Sequence, residues 1–283
     1  MNDQTLDALL GFAQDLGHEA GRQLLAWRGR AGSSLKRDGT VVTDADRAVD
    51  RWLCQAIRGR FPDHGILSEE ADTAYAGRPL TWVIDPLDGT TNFALGICYW
   101  GCSIAVVSHG EPVVGVLAMP ELRALFWATH EGGAFMDGER LGGPARGVSE
   151  ANSFLALCSR SLRYLELPMP QKGRLLGSAA YDLAAVAQGI AVGVTQVSPH
   201  IWDIAAGWLL LREAGRAVGP LLPGVPDPFP MVPGVDYEDR IFPLAAGADG
   251  AVLHKIQRVV RIKPEHADRI SAWAAAGWRM VRG

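Results

Sequence analysis

Cysteine is scarce in this chain. Four residues in 283, Cys54, Cys98, Cys102 and Cys158, do not make a disulfide framework and point to a reducing, cytoplasmic setting. Cys98 and Cys102 could be half of a metal site, but no second Cys or His pair completes it, and buried structural thiols are the expectation. The seven histidines form no His-x-x-x-His pattern and read as surface or packing residues. No basic excess is present: the net charge of −4 gives no general field for nucleic acid or an anionic membrane. No apolar run is long enough to span a bilayer, and the best one, residues 178–195, is interrupted by Asp182 and Gln188. Met1-Asn2-Asp3-Gln4 lacks the basic and apolar regions of a secretory signal. Repeats and low-complexity segments are also lacking.

What is present fits a globular protein with a real core, 48% of its residues being hydrophobic. The length allows one large domain, or two packed halves at about 1–150 and 151–257, followed by an extension over 258–283. Leu6, Leu9, Leu10, Ala13, Leu16, Ala20, Leu24 and Leu25 predict an amphipathic helix over residues 4–28. A loop with Lys36, Arg37 and Asp38-Gly39 precedes a second helix over about 44–60, capped by Thr43 or Asp44. Asp46 falls in its first turn, where the helix dipole alone would favour a carboxylate. Ile66-Leu67-Ser68 reads as a short strand ending in Glu69-Glu70. Between residues 99 and 140, short apolar runs separated by tight turns predict an antiparallel sheet. Beyond 152, strands alternate with helices at about 178–188 and 201–213, an α/β pattern. The tail carries Ile262, Ile270, Trp273 and Trp278 at helical spacing, with no chemistry to assign.

The most informative stretch is Trp82-Val-Ile-Asp-Pro-Leu-Asp-Gly-Thr-Thr-Asn-Phe93. A buried strand, Trp82 to Ile84, is expected to stop at Asp85-Pro86. A sharp turn carrying Asp85 and Asp88 follows, and Gly89 permits a left-handed backbone there. Clustered acids, glycine and threonine suit cations and a phosphate, though a capped polar turn uses the same residues. Asp46, Glu69, Asp85, Asp88 and Asp203 all fall at element boundaries. Brought together, they would repel unless some were protonated or hard cations lay between them, and oxygen-only ligands favour Mg²⁺ over Zn²⁺.

The stretch from Trp82 to Phe93 resembles the signature of the inositol monophosphatase family. Trp202-Asp-Ile-Ala-Ala-Gly207 with Glu213-Ala-Gly215 resembles its second signature, and Thr43 to Asp46 with Asp50, and Glu69-Glu70, resemble two further elements. The resemblance covers about residues 4–257. It implies a layered αβαβα sandwich, a phosphomonoesterase activity that uses two or three Mg²⁺ ions, a small phosphorylated substrate and a homodimer. By that resemblance Glu69, Asp85, Asp88, Asp203 and the carbonyl of Leu87 would bind metal. Asp46 and Thr90, with Glu69, would position and activate the attacking water. Gly89, Thr90 and Thr91 would hold phosphate oxygens, and Gly177, Ser178 and Ala179 would lie against the substrate. Seven residues before Asp203, inositol-phosphate members carry a glutamate that contacts a sugar hydroxyl. This chain has Gln196, which lacks the charge and adds a donor. The family's glycine pair is here Gly215-Arg216, and the sequence beyond Gly219 follows the pattern poorly. A small polyol or sugar phosphomonoester is the favoured substrate. Histidinol phosphate and 3′-phosphoadenosine nucleotides are the alternatives, the last drawing attention to Arg160, Arg163 and Tyr164. A haloacid-dehalogenase-like phosphatase would need Asp-x-Asp, and Asp85-Pro-Leu-Asp88 is one residue too long. A non-catalytic binding protein is opposed by the intact acids.

Overall fold

The computed structural model describes residues 3–35, 41–143 and 153–279. The expected loop at Lys36, Arg37 and Asp38-Gly39 lies outside them, as does the end of the tail. Helix α1 (Asp3–Trp27) buries Leu9, Ala13, Leu16, Ala20 and Leu24, the stripe expected from their spacing. Gly17 lies on the same face, where a Cβ would meet Val116 Cγ1 at 3.2 Å. The helix therefore packs close onto the sheet beneath it. Strands β1 (Ser33–Leu35) and β2 (Val41–Thr43) form a small antiparallel ladder. Thr43 then caps α2 (Asp44–Arg60) in a reciprocal capping box with Asp46.

A seven-stranded sheet follows in chain order: β3 (Gly65–Ser68), β4 (Leu80–Asp88), β5 (Gly101–Ser108), β6 (Glu111–Met119), β7 (Ala124–Thr129), β8 (Gly133–Met136) and β9 (Glu139–Arg140). Only the β3–β4 pair is parallel. Alternation decides which side each residue serves. Trp82, Ile84, Ile104 and Val106 join the core under α1 and α2. Val83, Ala105, Val107 and Leu117 face the other way, onto α5 (Ala179–Ala187) and α6 (Ile201–Glu213).

Beyond those helices lies a five-stranded sheet made from β10 (Phe154–Leu157), β12 (Lys172–Arg174), β13 (Gly193–Gln196), β14 (Ala217–Pro220) and β15 (Leu244–Gly247), in spatial order β12-β10-β13-β15-β14. Ala156, Val194 and Ala246 face α5 and α6, while Leu155, Leu157 and Ala245 face outward onto α7 (Gly250–Val259) and the tail. The result is the αβαβα sandwich. The central helices sit unusually close to their neighbours. A Cβ on Gly115 would meet Ala206 O at 2.8 Å, and one on Gly207 would meet Leu183 Cβ at 2.9 Å.

The tail has a structural role that its sequence did not declare. β16 (Arg261–Ile262) pairs with β11 (Leu165–Glu166), just after the short helix α4 (Ser159–Tyr164). Trp273, on α8 (Ala267–Ala275), stands edge-on to Tyr164 at 5.5 Å. Trp278 donates from Nε1 to Gly224 O at 2.8 Å. These aromatics, with Ile270, complete the third apolar cluster. The cysteines are all free: of the pair expected to be buried, Cys102 is and Cys98 is only half-buried, while Cys54 is buried and Cys158 half-buried.

Candidate active site

Strand β4 does not stop at Asp85-Pro86 as its sequence suggests. It runs on to Asp88. Asp85 pairs with Ser103 and Asp88 with Gly101, so three steps on β4 oppose two on β5, a bulge. Pro86 has no N–H to give the ladder, which makes this the natural place for the extra residue. The chain turns one residue later, at Gly89, with φ +83°. There a Cβ would meet Tyr99 O at 2.8 Å, so glycine is required by both backbone and space. The short helix α3 (Thr90–Leu95) starts immediately.

The bulge aims two carboxylates at neighbouring elements. Asp88 meets the start of α5: Ser178 Oγ donates to its Oδ2, Ala179 N to Oδ1 at 3.1 Å and Ala180 N to Oδ2 at 3.1 Å. Asp85 accepts from Leu87 N at 2.9 Å and shares a side-chain hydrogen bond with Glu69. Asp203 comes from the first turn of α6, steadied by the His200 N–H at 2.8 Å. Asp85, Asp88 and Asp203 thus converge, each offering an oxygen within 4.8 Å of the others.

Their electrostatics follow from burial. Asp85 is held well above the usual carboxylate range, first by desolvation, then by the charges of Glu69, Asp88 and Asp203. Asp88 is pushed up to about 6 by burial, although its bonds to Ser178, Ala180 and Ala179 pull the other way. A cluster of this kind must take up protons or a cation. Its donor set is oxygen only, which fits hard divalent ions.

A second group forms beside it. Asp46 accepts from Thr43 N at 2.8 Å, from Thr43 Oγ1 at 2.5 Å and from Thr90 Oγ1 at 3.1 Å. Thr90 Oγ1 also lies 2.9 Å from the Leu87 carbonyl. One hydroxyl proton serves one acceptor at a time, so Thr90 can donate to Leu87 or Asp46 and accept a hydrogen bond from a third group. Asp46 therefore does both things its sequence position allowed: it closes the helix cap and reaches the acidic turn. Burial raises its pKa.

Ser178 and Ala179 sit against Asp88, and Gly177 (φ +79°) sits against Asn92, whose amide would lie 2.8 Å from any Cβ there. Thr91 is exposed at the mouth of the turn. Gln196 is buried, and its Nε2 donates to Asp182 Oδ2 at 2.6 Å. Sequence reasoning missed Asp182 as a site neighbour. Its one signal was a lone carboxylate in an apolar helix. Asn92 was also missed: its Nδ2 donates to Tyr99 O and Leu176 O, both at 2.7 Å, tying the turn to the α5 approach. Arg163 and Tyr164 are turned towards each other and the tail, the guanidinium 5.5 Å from the ring centroid. Arg160 points elsewhere, to Ser198.

The family model described as "Inositol monophosphatase family" matches residues 5–246. The chain belongs to that family. A Thermotoga maritima protein named fructose-1,6-bisphosphatase/inositol-1-monophosphatase is 34% identical over 218 residues, 74% of this chain and 83% of its own. The Escherichia coli K12 protein named Nus factor SuhB is 36% identical over 197 residues, 66% of this chain and 74% of its own. Among solved structures, a Thermotoga maritima IMPase superposes with a TM-score of 0.74 at 28% identity, covering 89% of this chain and 96% of that one. This inositol monophosphatase family member is accordingly an enzyme of the phosphoric monoester hydrolase class, with the family's fold. The match ends before α7 begins, so the tail elements β16 and α8 lie outside it. No described helix is long and apolar enough to cross a membrane.

Proposed function

We propose that the chain is a Mg²⁺-dependent phosphatase that hydrolyses a small polyol or sugar phosphomonoester. The supporting observation is the convergence of Asp85, Asp88 and Asp203 from two strand-end positions and a helix start. Asp85, Asp88, Asp203, Glu69 and the Leu87 carbonyl would hold two or three Mg²⁺ ions. Such ions supply charge stabilisation of phosphoryl oxygens and make water a better nucleophile near neutral pH.

The chain's own groups supply the rest. The amides at Gly89, Thr90 and Thr91 open a short helix, where N–H groups are free for phosphate oxygens. Thr90 Oγ1, poised between Leu87 O and Asp46, orients the attacking water, and Asp46 receives its proton through that hydroxyl. Thr43 keeps Asp46 in place. Ser178 and Ala179 fix the Asp88 carboxylate and form the wall the substrate meets. Gln196 faces the leaving alcohol, its amide orientation set by Asp182. Phosphoryl transfer to water depends mostly on positioning and charge, which such an arrangement provides.

The same reading includes a homodimer. Leu95 (71% exposed), Ile97 (44%) and Leu175 (50%) lie on stretches joined by the Asn92 amide, an apolar rim suited to a second copy. Light scattering of Leu95→Asp/Ile97→Asp should show a monomer where the wild type is dimeric. For the enzyme itself, phosphate release from a panel of phosphomonoesters should require Mg²⁺. Undiminished turnover in EDTA would exclude the metal mechanism.

A further inference from the structure

Trp278 is held in a backbone conformation that bulky residues rarely adopt. Its φ is +59°, in the left-handed region, and the residue is buried. Three hydrogen bonds keep it there. Its N donates to Trp273 O at 2.6 Å, its Nε1 donates to Gly224 O at 2.8 Å, and its carbonyl accepts from Ile241 N at 2.9 Å. The next residue, Arg279, bridges to Arg240. Covering an apolar face needs a ring, not a left-handed backbone. Strain that its surroundings fix this firmly points to a geometric task.

The backbone partner of Trp278 leads towards the acidic cluster. Phe242, one residue after Ile241, donates from N to Pro199 O at 3.0 Å. Pro199 lies in the 197–200 loop between β13 and α6. His200, the residue after it, donates from N to Asp203 Oδ2 at 2.8 Å. The N–H groups of Ile241, Phe242 and His200 thus connect the tail to one of the three converging acids. The tail reaches the same loop by a second route. Lys263 N donates to Tyr164 O at 2.9 Å and Lys263 Nζ to Leu162 O at 2.7 Å, both on α4. From α4, Arg160 Nη1 donates to Ser198 Oγ, and Ser161 Oγ to Thr195 O at 2.9 Å.

The cluster needs such a brace. Carboxylates that share a buried site repel one another, so their separation must be imposed by the backbone around them. For Asp88 the start of α5 does this, with Ser178, Ala179 and Ala180 as donors. For Asp203 the His200 N–H contributes, so the position of the 197–200 loop bears on where that carboxylate lies. A loop free to shift would let Asp203 relax away from Asp85 and Asp88. The tail lies beyond residues 5–246, so the brace is not part of the matched family pattern.

We infer that the C-terminal tail, through Trp278, is a positioning element for Asp203 that sets the affinity of the acidic cluster for divalent cations. This rests on the phosphatase reading above, in which Asp203 holds Mg²⁺.

The test uses the full chain and measures Mg²⁺ binding directly, by titration calorimetry, beside the Mg²⁺ dependence of phosphate release. Trp278→Ala should weaken Mg²⁺ binding about tenfold and raise the half-saturating Mg²⁺ concentration by the same factor, with kcat at saturating Mg²⁺ within about twofold of wild type. Trp278→Phe, which keeps an apolar ring, should recover most of the loss. Leu9→Ala is the control: it opens the buried face of α1 and lowers stability, but should leave Mg²⁺ binding unchanged. Coupling is reciprocal, so Mg²⁺ should in turn slow hydrogen exchange at the Ile241 and Trp278 amides of the wild type, a readout that needs no variant to fold. Unchanged Mg²⁺ affinity in Trp278→Ala would show that the tail only covers an apolar face, and would overturn the inference alone. Equal weakening in Leu9→Ala, or exchange at those amides indifferent to Mg²⁺, would overturn it as well. A wild type that binds no Mg²⁺ would overturn the phosphatase reading and this inference with it.

Discussion

The two sheets of this enzyme treat their polar residues differently. The seven-stranded sheet ends in a bulge that gathers acids: Asp85 and Asp88 on β4, Glu69 after β3, and Asp46 across from Thr90. Its bonds within the site run to backbone groups and short hydroxyls, which hold carboxylates in one geometry. The five-stranded sheet delivers a single acid, Asp203, by way of α6, and ends otherwise in Gln196, Ser198 and the bound Arg160. In the proposed reading, one side would meet the charge that any phosphomonoester brings, and the other the alcohol attached to it. The chain's departures from the family pattern also fall on the second side, which is where substrate choice would be made.

That contrast can be broken at several points. The largest effect is expected from Asp88→Asn, which should cut kcat about a thousandfold, as removing a key electrostatic contact does. Asp203→Asn should match it, because the shared cluster needs both sheets. Circular dichroism should show the fold retained, and a loss below about tenfold in either variant would mean the acids are not one site. Chelation with EDTA should abolish phosphate release by a similar factor, with activity restored by added Mg²⁺ and not by Na⁺.

Next in size, Asp46→Asn and Thr90→Ala should each lower kcat about a hundredfold with little change in KM, and the double variant should lose little more than either alone. Full additivity would separate the two residues. The five-stranded side is sharpened by Trp273→Ala, which removes a buried ring from the tail clamp and should cost about 3–5 kcal/mol of stability. Chemical denaturation measures it. An unchanged midpoint would show that the tail does not support α4.

The smallest effect concerns the seven-stranded side away from the site. His64 Nδ1 accepts from Trp82 Nε1 at 3.1 Å and so must be unprotonated there. Desolvation lowers its pKa below the ordinary 6.5. The folded state binds that proton less well than the unfolded state. The contribution is therefore complete above about pH 6.5 and is lost as pH falls from there through the lowered folded value. A shallow decline in Tm below that pH, flattened in His64→Gln, is the expected result.

Much of this architecture was legible beforehand because it rests on local pattern. The α1 stripe, the Thr43 cap, the hairpins after Tyr99 and the Ile201 helix each follow from spacing or capping chemistry that a few residues carry. The β4 boundary was misread because a proline after an acid usually ends a strand. Here the partner strand β5 continues the pairing past it and absorbs one extra residue. The tail was opaque for a related reason: an amphipathic pattern says that a face will be buried, not against what. Only the packing shows what these rings cover: Trp273 meets Tyr164 on the six-residue α4, and Trp278 reaches Gly224.

By itself the sequence determined the family, the identity of the acids and the glycine that must turn at position 89. Residue type and short-range spacing are enough for those. The tertiary structure decided the rest. It set Asp182 under Gln196, gave Ser178 to Asp88, and separated Arg160 from Arg163. Those pairings join residues 14 to 90 positions apart, or send neighbouring side chains of one short helix to different partners. Which groups meet across such distances depends on how the layers pack, and no local pattern records that.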